Sequence, residues 1–162
     1  MIVVSDTSVI INLAAIGQID LLYKLFQHVV IPQAVFDEIV RYGDELPGSL
    51  EVRSALWMEV RHITDKDILG KISDYQLDAG ETEAIALALE LNTELILMDE
   101  FLGRTLAVEM KLRPIGILGV LLEAKRSGLI ASIKPLMDDL LNKARFFIHQ
   151  SLYERVLKLA QE

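Results

Sequence analysis

Two aspartates of this 162-residue chain each stand directly after a short apolar run of the kind that forms buried strands. Asp6 follows the run that begins at Ile2, and Asp99 follows the run 94–98. The functional edge of a parallel sheet lies at the carboxyl ends of its strands, so neighbouring strands would bring both carboxylates together. Paired carboxylates repel each other at neutral pH and favour a hard cation such as Mg²⁺ or Mn²⁺. The ordinary alternative is that each aspartate caps the helix that follows it.

Three glutamates lie in segments whose pattern predicts helices. Glu38 lies on the predicted helix 33–42, on the side of its apolar stripe. Glu81 and Glu83 open the predicted helix 79–91, which is apolar almost all round and is therefore expected in the interior. Glu38 could equally be a solvated surface residue, and the other two could be partners of the helix dipole.

The elements that position these residues alternate between strand and helix, which predicts an α/β fold with a helix-covered parallel sheet in a single domain, 1–162. Strands are expected at 2–4, 28–31, 57–63, 94–98 and 114–117, of which 57–63 has the weakest pattern. Helices are expected at 8–16, 19–26, 33–42, 50–56, 65–76, 79–91, 103–111, 119–126, 135–144 and after a capping box formed by Ser151 and Glu154.

The composition excludes several classes of protein. The chain has no cysteine, which excludes a disulfide framework, a thiolate zinc site and cysteine catalysis. With 52 % hydrophobic and 25 % charged residues it is not disordered. The apolar runs are too short to cross a membrane and the amino terminus lacks a basic segment, so we expect a soluble, cytoplasmic protein with no membrane partner.

The charge is unevenly distributed along the chain. The net charge is −8, with −12 on residues 1–103 and +4 on residues 104–162. A metal site needs carboxylates and a phosphate chain needs cations, so the division suits an acidic site combined with a basic substrate surface. Chance distribution over an ordinary solvated surface is the alternative.

Four segments together resemble the PIN-domain nucleases, most closely the VapC-like toxin branch. They are DTSVIINLAAIG at the start, VVIPQAVFDEI, LDAGETEAIALALEL and LILMDE. The resemblance covers about residues 1–130, with the helices of about 131–162 as a C-terminal extension. It implies a three-layer fold with five parallel strands in the order 3-2-1-4-5, which would place the ends of the first and fourth strands side by side.

The resemblance also implies a catalytic, metal-binding set. The family's acids match Asp6, Glu38, Asp99 and the start of the 79–91 helix, where Glu81 is preferred to Glu83. Typical members have aspartate in place of Glu81, and threonine in place of Met98. These departures leave open whether one or two ions bind and allow a weak or absent activity. Residues expected around the ligands or substrate are Thr7, Ser8, Glu83, Glu100 and Arg104, and residues expected on the RNA backbone are Lys111, Arg113, Lys125 and Arg126.

The function that the resemblance implies is metal-dependent hydrolysis of RNA by the toxin of a toxin–antitoxin pair. A small antitoxin whose tail covers the acidic groove and a second copy of the chain are the implied partners. Two alternatives stay open: a PIN-like binding module that has lost the chemistry, and an aspartyl-phosphate phosphatase with Asp6 as nucleophile. The phosphatase would need a second aspartate two residues on, where this chain has Ser8.

Overall fold

A five-stranded, all-parallel sheet forms the centre of the computed structural model, which describes residues 1–41 and 45–162. The strand order is β3-β2-β1-β4-β5, as expected. The strands are β1 (Val3–Ser5), β2 (Val29–Pro32), β3 (Met58–Arg61), β4 (Leu95–Leu97) and β5 (Arg113–Ile115). Because β1 pairs with both β2 and β4, the residues that follow β1 and β4 lie next to each other at the carboxyl edge of the sheet.

Helices connect the strands, and no single helix in the described part of the chain is long and apolar enough to cross a membrane. The helices are α1 (Thr7–Ala15), α2 (Asp20–Phe26), α3 (Gln33–Phe36), α4 (Ser49–Ser54), α5 (Lys66–Ser73), α6 (Ala79–Glu90), α7 (Phe101–Glu109), α8 (Ile117–Arg126), α9 (Lys134–Asn142) and α10 (Gln150–Leu159).

The helices cover both faces of the sheet, and the alternation of side chains along the strands creates two cores. Val3 faces a larger core shared by α1, α2, α8, α9 and α10, whereas Val4 faces a smaller core built on α5, α6 and α7. Both valines are fully buried, and each such side chain stabilises the fold by about 1.5–3 kcal/mol. This burial on both faces explains why the inner strands β1, β2 and β4 are almost entirely apolar, whereas the edge strands β3 and β5 also carry charged residues.

The predicted helix 33–42 is the main local difference. The segment begins as α3 and continues as a π-helical turn over Asp37–Arg41, while Tyr42 lies outside the described residues. A π turn contains one more residue than an α turn, so the side chains after Phe36 take different directions from those of a regular helix. Ile39 and Val40 remain buried, and therefore the apolar spacing does not reveal the change.

The predicted capping box at Ser151 is wrong. The last helix begins at Gln150, and the N-cap is His149, whose ring nitrogen Nδ1 accepts a hydrogen bond from the Ser151 amide at 3.4 Å. Glu154 contacts the Gln150 side-chain amide instead of the Ser151 backbone. The helix thus starts earlier than the serine because a neighbouring imidazole satisfies its free N–H group.

Candidate active site

Asp6 joins the end of β1 to the start of α1. Its backbone N–H donates to the carbonyl of Leu97 at 3.0 Å, which ties the ends of β1 and β4 together. Its side chain is the N-cap of α1 and accepts from the Val9 amide at 3.2 Å and from the Ser8 hydroxyl at 3.3 Å. Only 2 % of Asp6 is exposed, so this carboxylate is buried at the carboxyl edge of the sheet.

Asp99 follows β4 and is fixed by the start of α8. Its Oδ1 accepts a hydrogen bond from the Ile117 amide at 3.0 Å, whereas its buried Oδ2 has no hydrogen-bond partner within the described residues. A side chain on Gly116 would overlap Asp99 Oδ1, so the glycine is what lets this carboxylate approach α8. A buried polar atom without a partner costs about 1–3 kcal/mol, and Oδ2 is therefore a natural position for a ligand contact.

Glu38 links three elements. Its Oε2 accepts a hydrogen bond from the Thr7 hydroxyl at the start of α1, and its Oε1 accepts from the Gly80 amide in the first turn of α6 at 3.1 Å. A Cβ on Gly80 would lie 2.7 Å from Glu38 Oε2, so any other residue there would displace the Glu38 carboxylate from this position. The contact fixes the first turn of α6 against the end of β1.

Glu81 and Asp78 complete one wall of a small cavity at the same edge. The cavity has a volume of about 190 Å³, and its lining consists of Asp6, Thr7, Ser8, Ile11, Glu38, Asp78 and Glu81. Asp78 is the N-cap of α6 and accepts from the Glu81 amide at 2.8 Å. Glu83 points elsewhere and accepts from the Ala34 amide at 2.7 Å, so Glu81 is the glutamate of this pair that lines the cavity.

Three of these carboxyl groups have strongly raised pKa values. Burial, with smaller contributions from the charges of Asp99 and Glu81, raises the pKa of Asp6 to about 8 even though the Val9 amide opposes the shift. Burial and the charges of Asp78 and Glu100 raise the pKa of Glu81 to about 7. Burial raises the pKa of Asp99 to about 6, against the opposing effects of its hydrogen bond and of Arg104. Such values mark carboxylates whose burial is not offset by nearby cations and hydrogen-bond donors.

Of the basic residues singled out from the sequence, one lies beside this cluster. Arg104 lies on α7 beside Asp99, and its Nη1 donates to the Met98 carbonyl at 2.9 Å. The structure does not bring the four residues expected on the RNA backbone to the acidic edge. Lys111 and Arg113 lie at the opposite end of β5, Lys125 pairs with Glu162 at 2.8 Å, and Arg126 pairs with Glu123 at 2.6 Å.

The donor chemistry of the edge fits a divalent cation. Every polar side chain in the cavity lining offers carboxylate or hydroxyl oxygen, and Asp99 Oδ2 is a buried oxygen with no partner among the described residues. In residues 1–41 and 45–162, no three acidic or histidine side chains are grouped closely enough to hold an ion as they stand. Both carboxylate oxygens of Glu38 accept hydrogen bonds, from Thr7 and Gly80, and Asp99 lies beside the cavity and not in its wall. Binding would therefore draw the carboxylates together.

The fold, the strand order and the carboxylates at the end of β1 and β4 define an α/β protein with an acidic switch-point site. A family model described as DUF3368, a PIN domain, matches residues 2–162, and the chain belongs to this family. PIN domains are generally nucleases and typically use divalent metals, so the function is of the nuclease type. Comparisons with curated proteins and with solved structures gave no match.

Three positions that shape the candidate site were not predicted from the sequence. Asp78 carries a visible signal, because aspartate followed three residues later by Glu81 is the pattern of a capping box. Gly80 and Gly116 carry no local signal, since each is required by a carboxylate that lies far away along the chain.

Proposed function

We propose that this protein is a metal-dependent endoribonuclease that hydrolyses phosphodiester bonds. The observation that carries the proposal is the meeting of Asp6, Glu81 and Asp99, from three different elements, at one edge with raised pKa values and one unpartnered buried oxygen. Carboxylates that are buried together without cationic partners destabilise a fold, and a bound cation relieves that cost.

Mg²⁺ or Mn²⁺ would be held by Asp6, Glu81 and Asp99, with Glu38 and Asp78 beside them. When bound, such an ion lowers the pKa of a coordinated water and polarises a phosphoryl oxygen. The chain's own residues hold the carboxylates in place: Ser8 donates to Asp6, and Thr7 donates to Glu38. Partners of this kind typically change metal affinity or activity by about 10–100-fold when they are removed.

The VapC-like toxin role belongs to the same proposal and is supported by the DTS start and the GExEA helix. The physiological target would be RNA, and inhibition would come from a small antitoxin with a cationic segment that covers the acidic edge. A homodimer is the expected assembly.

A catalytically degenerate binding module is the second candidate. The observation that favours it is the spacing of the carboxylates, of which no three within the described residues are grouped around one point. The phosphatase alternative has less support, because Ser8 stands where that chemistry needs a second aspartate.

The deciding experiment measures cleavage of mixed single-stranded RNA with and without Mn²⁺. Wild-type protein should cleave only with the metal, Asp6→Asn should not cleave, and the exposed control Asp20→Asn should behave as wild type. Calorimetry on the same samples should show saturable Mn²⁺ binding. Binding without cleavage would favour the degenerate module, and neither binding nor cleavage would end the nuclease proposal.

A further inference from the structure

Arg104 is a cation whose position in the fold is fixed but whose hydrogen-bonding capacity is largely unused. The only hydrogen bond that the described residues give its guanidinium is the one from Nη1 to the Met98 carbonyl, at 2.9 Å. No ion pair joins it to an Asp or Glu in the described part of the chain, although Glu100 lies one helical turn before it. A guanidinium carries five N–H donors in a planar fork, so most of its donors are available to a ligand.

The neighbouring glycine shows that this arrangement is built into the fold. A Cβ on Gly116 would overlap Asp99 Oδ1 and would lie 3.2 Å from Arg104 Nη1. The missing side chain therefore makes room for the carboxylate and the guanidinium together. Arg104 is half-buried, and the Met98 carbonyl that anchors it directly precedes Asp99. The positive charge is thus held beside the acidic edge without being neutralised by it.

We propose that Arg104 binds a phosphate oxygen of the RNA substrate at the acidic edge. This inference rests on the proposed nuclease function. A phosphodiester that approaches Asp6, Glu81 and Asp99 meets negative charge and needs a cation there. A guanidinium with free N–H groups matches phosphate geometry with two parallel hydrogen bonds, which a lysine cannot provide.

The other basic candidates are less suitable for this contact. Lys125 donates to Glu162 and to the Ala160 carbonyl, and Arg126 donates twice to Glu123. Arg113 begins β5, and the sheet is parallel, so it lies at the edge opposite to Asp99. Arg104 is the one of the five sequence candidates that shares the edge with the acids.

The test uses full-length protein in metal-free buffer and a short fluorescent single-stranded RNA, with binding followed by anisotropy at several salt concentrations. Arg104→Gln should weaken binding about 10-fold and flatten the log–log salt dependence by about 0.7. Arg104→Lys should keep the salt dependence but bind more weakly than wild type, because it keeps the charge and loses the fork. The exposed α10 residue gives a matched control, Arg155→Gln, which should bind RNA as wild type does.

A second readout separates a phosphate contact from a structural role. Arg104→Gln should bind Mn²⁺ at least as tightly as wild type, since a positive charge near Asp99 has been removed. RNA binding by Arg104→Gln equal to that of wild type would overturn the inference, as would joint loss of RNA binding, Mn²⁺ binding and thermal stability. Failure of Mn²⁺ binding in wild type, with the Arg104-dependent RNA binding intact, would contradict the proposed metal chemistry while supporting the phosphate contact.

Discussion

Two groups of carboxylates in this molecule have opposite environments. At the carboxyl edge of the sheet, Asp6 is buried, Glu81 and Asp99 are half-buried, and the pKa values of the three carboxyl groups are raised to about 8, 7 and 6. At the other end of the chain, the side chain of Glu162 is 15 % exposed and accepts from the Lys125 ammonium at 2.8 Å and from the Ile133 amide at 2.7 Å. Burial opposes its ionisation, yet these donors and the Ser132 hydroxyl lower its pKa to about 2.

The two environments differ both in burial, which is the largest cause of the raised pKa values at the edge, and in the supply of donors, which lowers the pKa of Glu162. Glu162 receives hydrogen bonds from the first turn of α9 and a cation, so its charge stabilises the fold. The acidic edge has few donors for its charges, and each ionised carboxylate destabilises the fold unless a cation is bound. The fold supplies hydrogen-bonding partners to Glu162 but leaves the carboxylates of the edge with few of them. Lower stability at such a site is typical of positions where activity is favoured over stability.

The largest effect should come from removing a charge at the edge. Asp6→Asn should lower Mn²⁺-dependent RNA cleavage by at least about 100-fold, since loss of groups that only orient a ligand already costs about 10–100-fold. The same change should raise metal-free stability by about 1–3 kcal/mol, because a buried carboxyl group with a raised pKa is removed. Kinetics and thermal melts measure both effects. A fall in both activity and stability would show that the edge is structural rather than functional.

Gly116→Ala tests whether the position of Asp99 matters. The new methyl group would displace the Asp99 carboxylate, so Mn²⁺ affinity should fall about 10-fold and stability by about 1–3 kcal/mol. Gly70→Ala is the matched control, because a side chain there meets no atom within 4 Å and should stabilise α5 by about 0.5–1 kcal/mol. If Gly116→Ala binds Mn²⁺ as tightly as wild type does, Asp99 is not a metal ligand.

Glu162→Ala tests the carboxylate that has many hydrogen-bonding partners. It leaves the Ile133 amide and Lys125 without their carboxylate partner, and the unfolding free energy should fall by about 1–2 kcal/mol. Chemical denaturation measures the loss, and the exposed Glu154→Ala serves as a control expected to change stability by less than about 0.5 kcal/mol. Mn²⁺ binding should not change. Equal stability of the two variants would show that the contacts of Glu162 contribute nothing.

The pH dependence of stability should show both environments. Asp6, Glu81 and Asp99 have pKa values above their usual ones of 3.8, 4.5 and 3.8, so their contribution is complete below about pH 4 and is lost as pH rises through about 6 to 8. Glu162 has a lowered pKa, so its contribution is present above about pH 4.5 and is lost as pH falls through about 2. Metal-free melting temperatures should therefore be highest near pH 4–5, and saturating Mn²⁺ should flatten the decline towards alkaline pH.

The smallest effect is expected at Arg126. Its side chain is 77 % exposed and its partner Glu123 lies one helical turn away, so Arg126→Ala should leave stability at the wild-type value. RNA affinity and its salt dependence should stay at the wild-type values. A flatter salt dependence of RNA binding in this variant would show that Arg126 contacts the RNA backbone, as the sequence suggested.

The sequence predicts the sheet and its acidic edge because both depend on local signals. Short apolar runs show where strands end, and Asp6 and Asp99 come directly after two of them. The adjacency of β1 and β4 required the family resemblance, since no local pattern states which strands are neighbours. Helix geometry allows only one of Glu81 and Glu83 to face a site, and it is the structure that places Glu81 at the cavity and Glu83 against the Ala34 amide.

The contacts that organise the edge could not be predicted, because they join residues distant in the chain. Glu38 and Gly80 are 42 residues apart, and the glycine is required only by the position of the glutamate carboxylate. The π-helical turn that carries Glu38 has the same apolar spacing as a regular helix. The prediction for the start of α10 was wrong because His149, and not Ser151, is the N-cap.

The pairing of β1 with β4 has a consequence for how the protein is synthesised. β1 is complete after Ser5, but its partner β4 ends only at Leu97, and Asp99 is fixed by Ile117. A ribosome must therefore translate about a hundred residues before the edge can assemble, and closing so long a loop places the protein among slowly folding, high-contact-order topologies. A partly made chain cannot carry an assembled nuclease site. Pulse-labelled hydrogen exchange during refolding should show the Asp6 amide, which donates to Leu97, protected no earlier than the amides of β4.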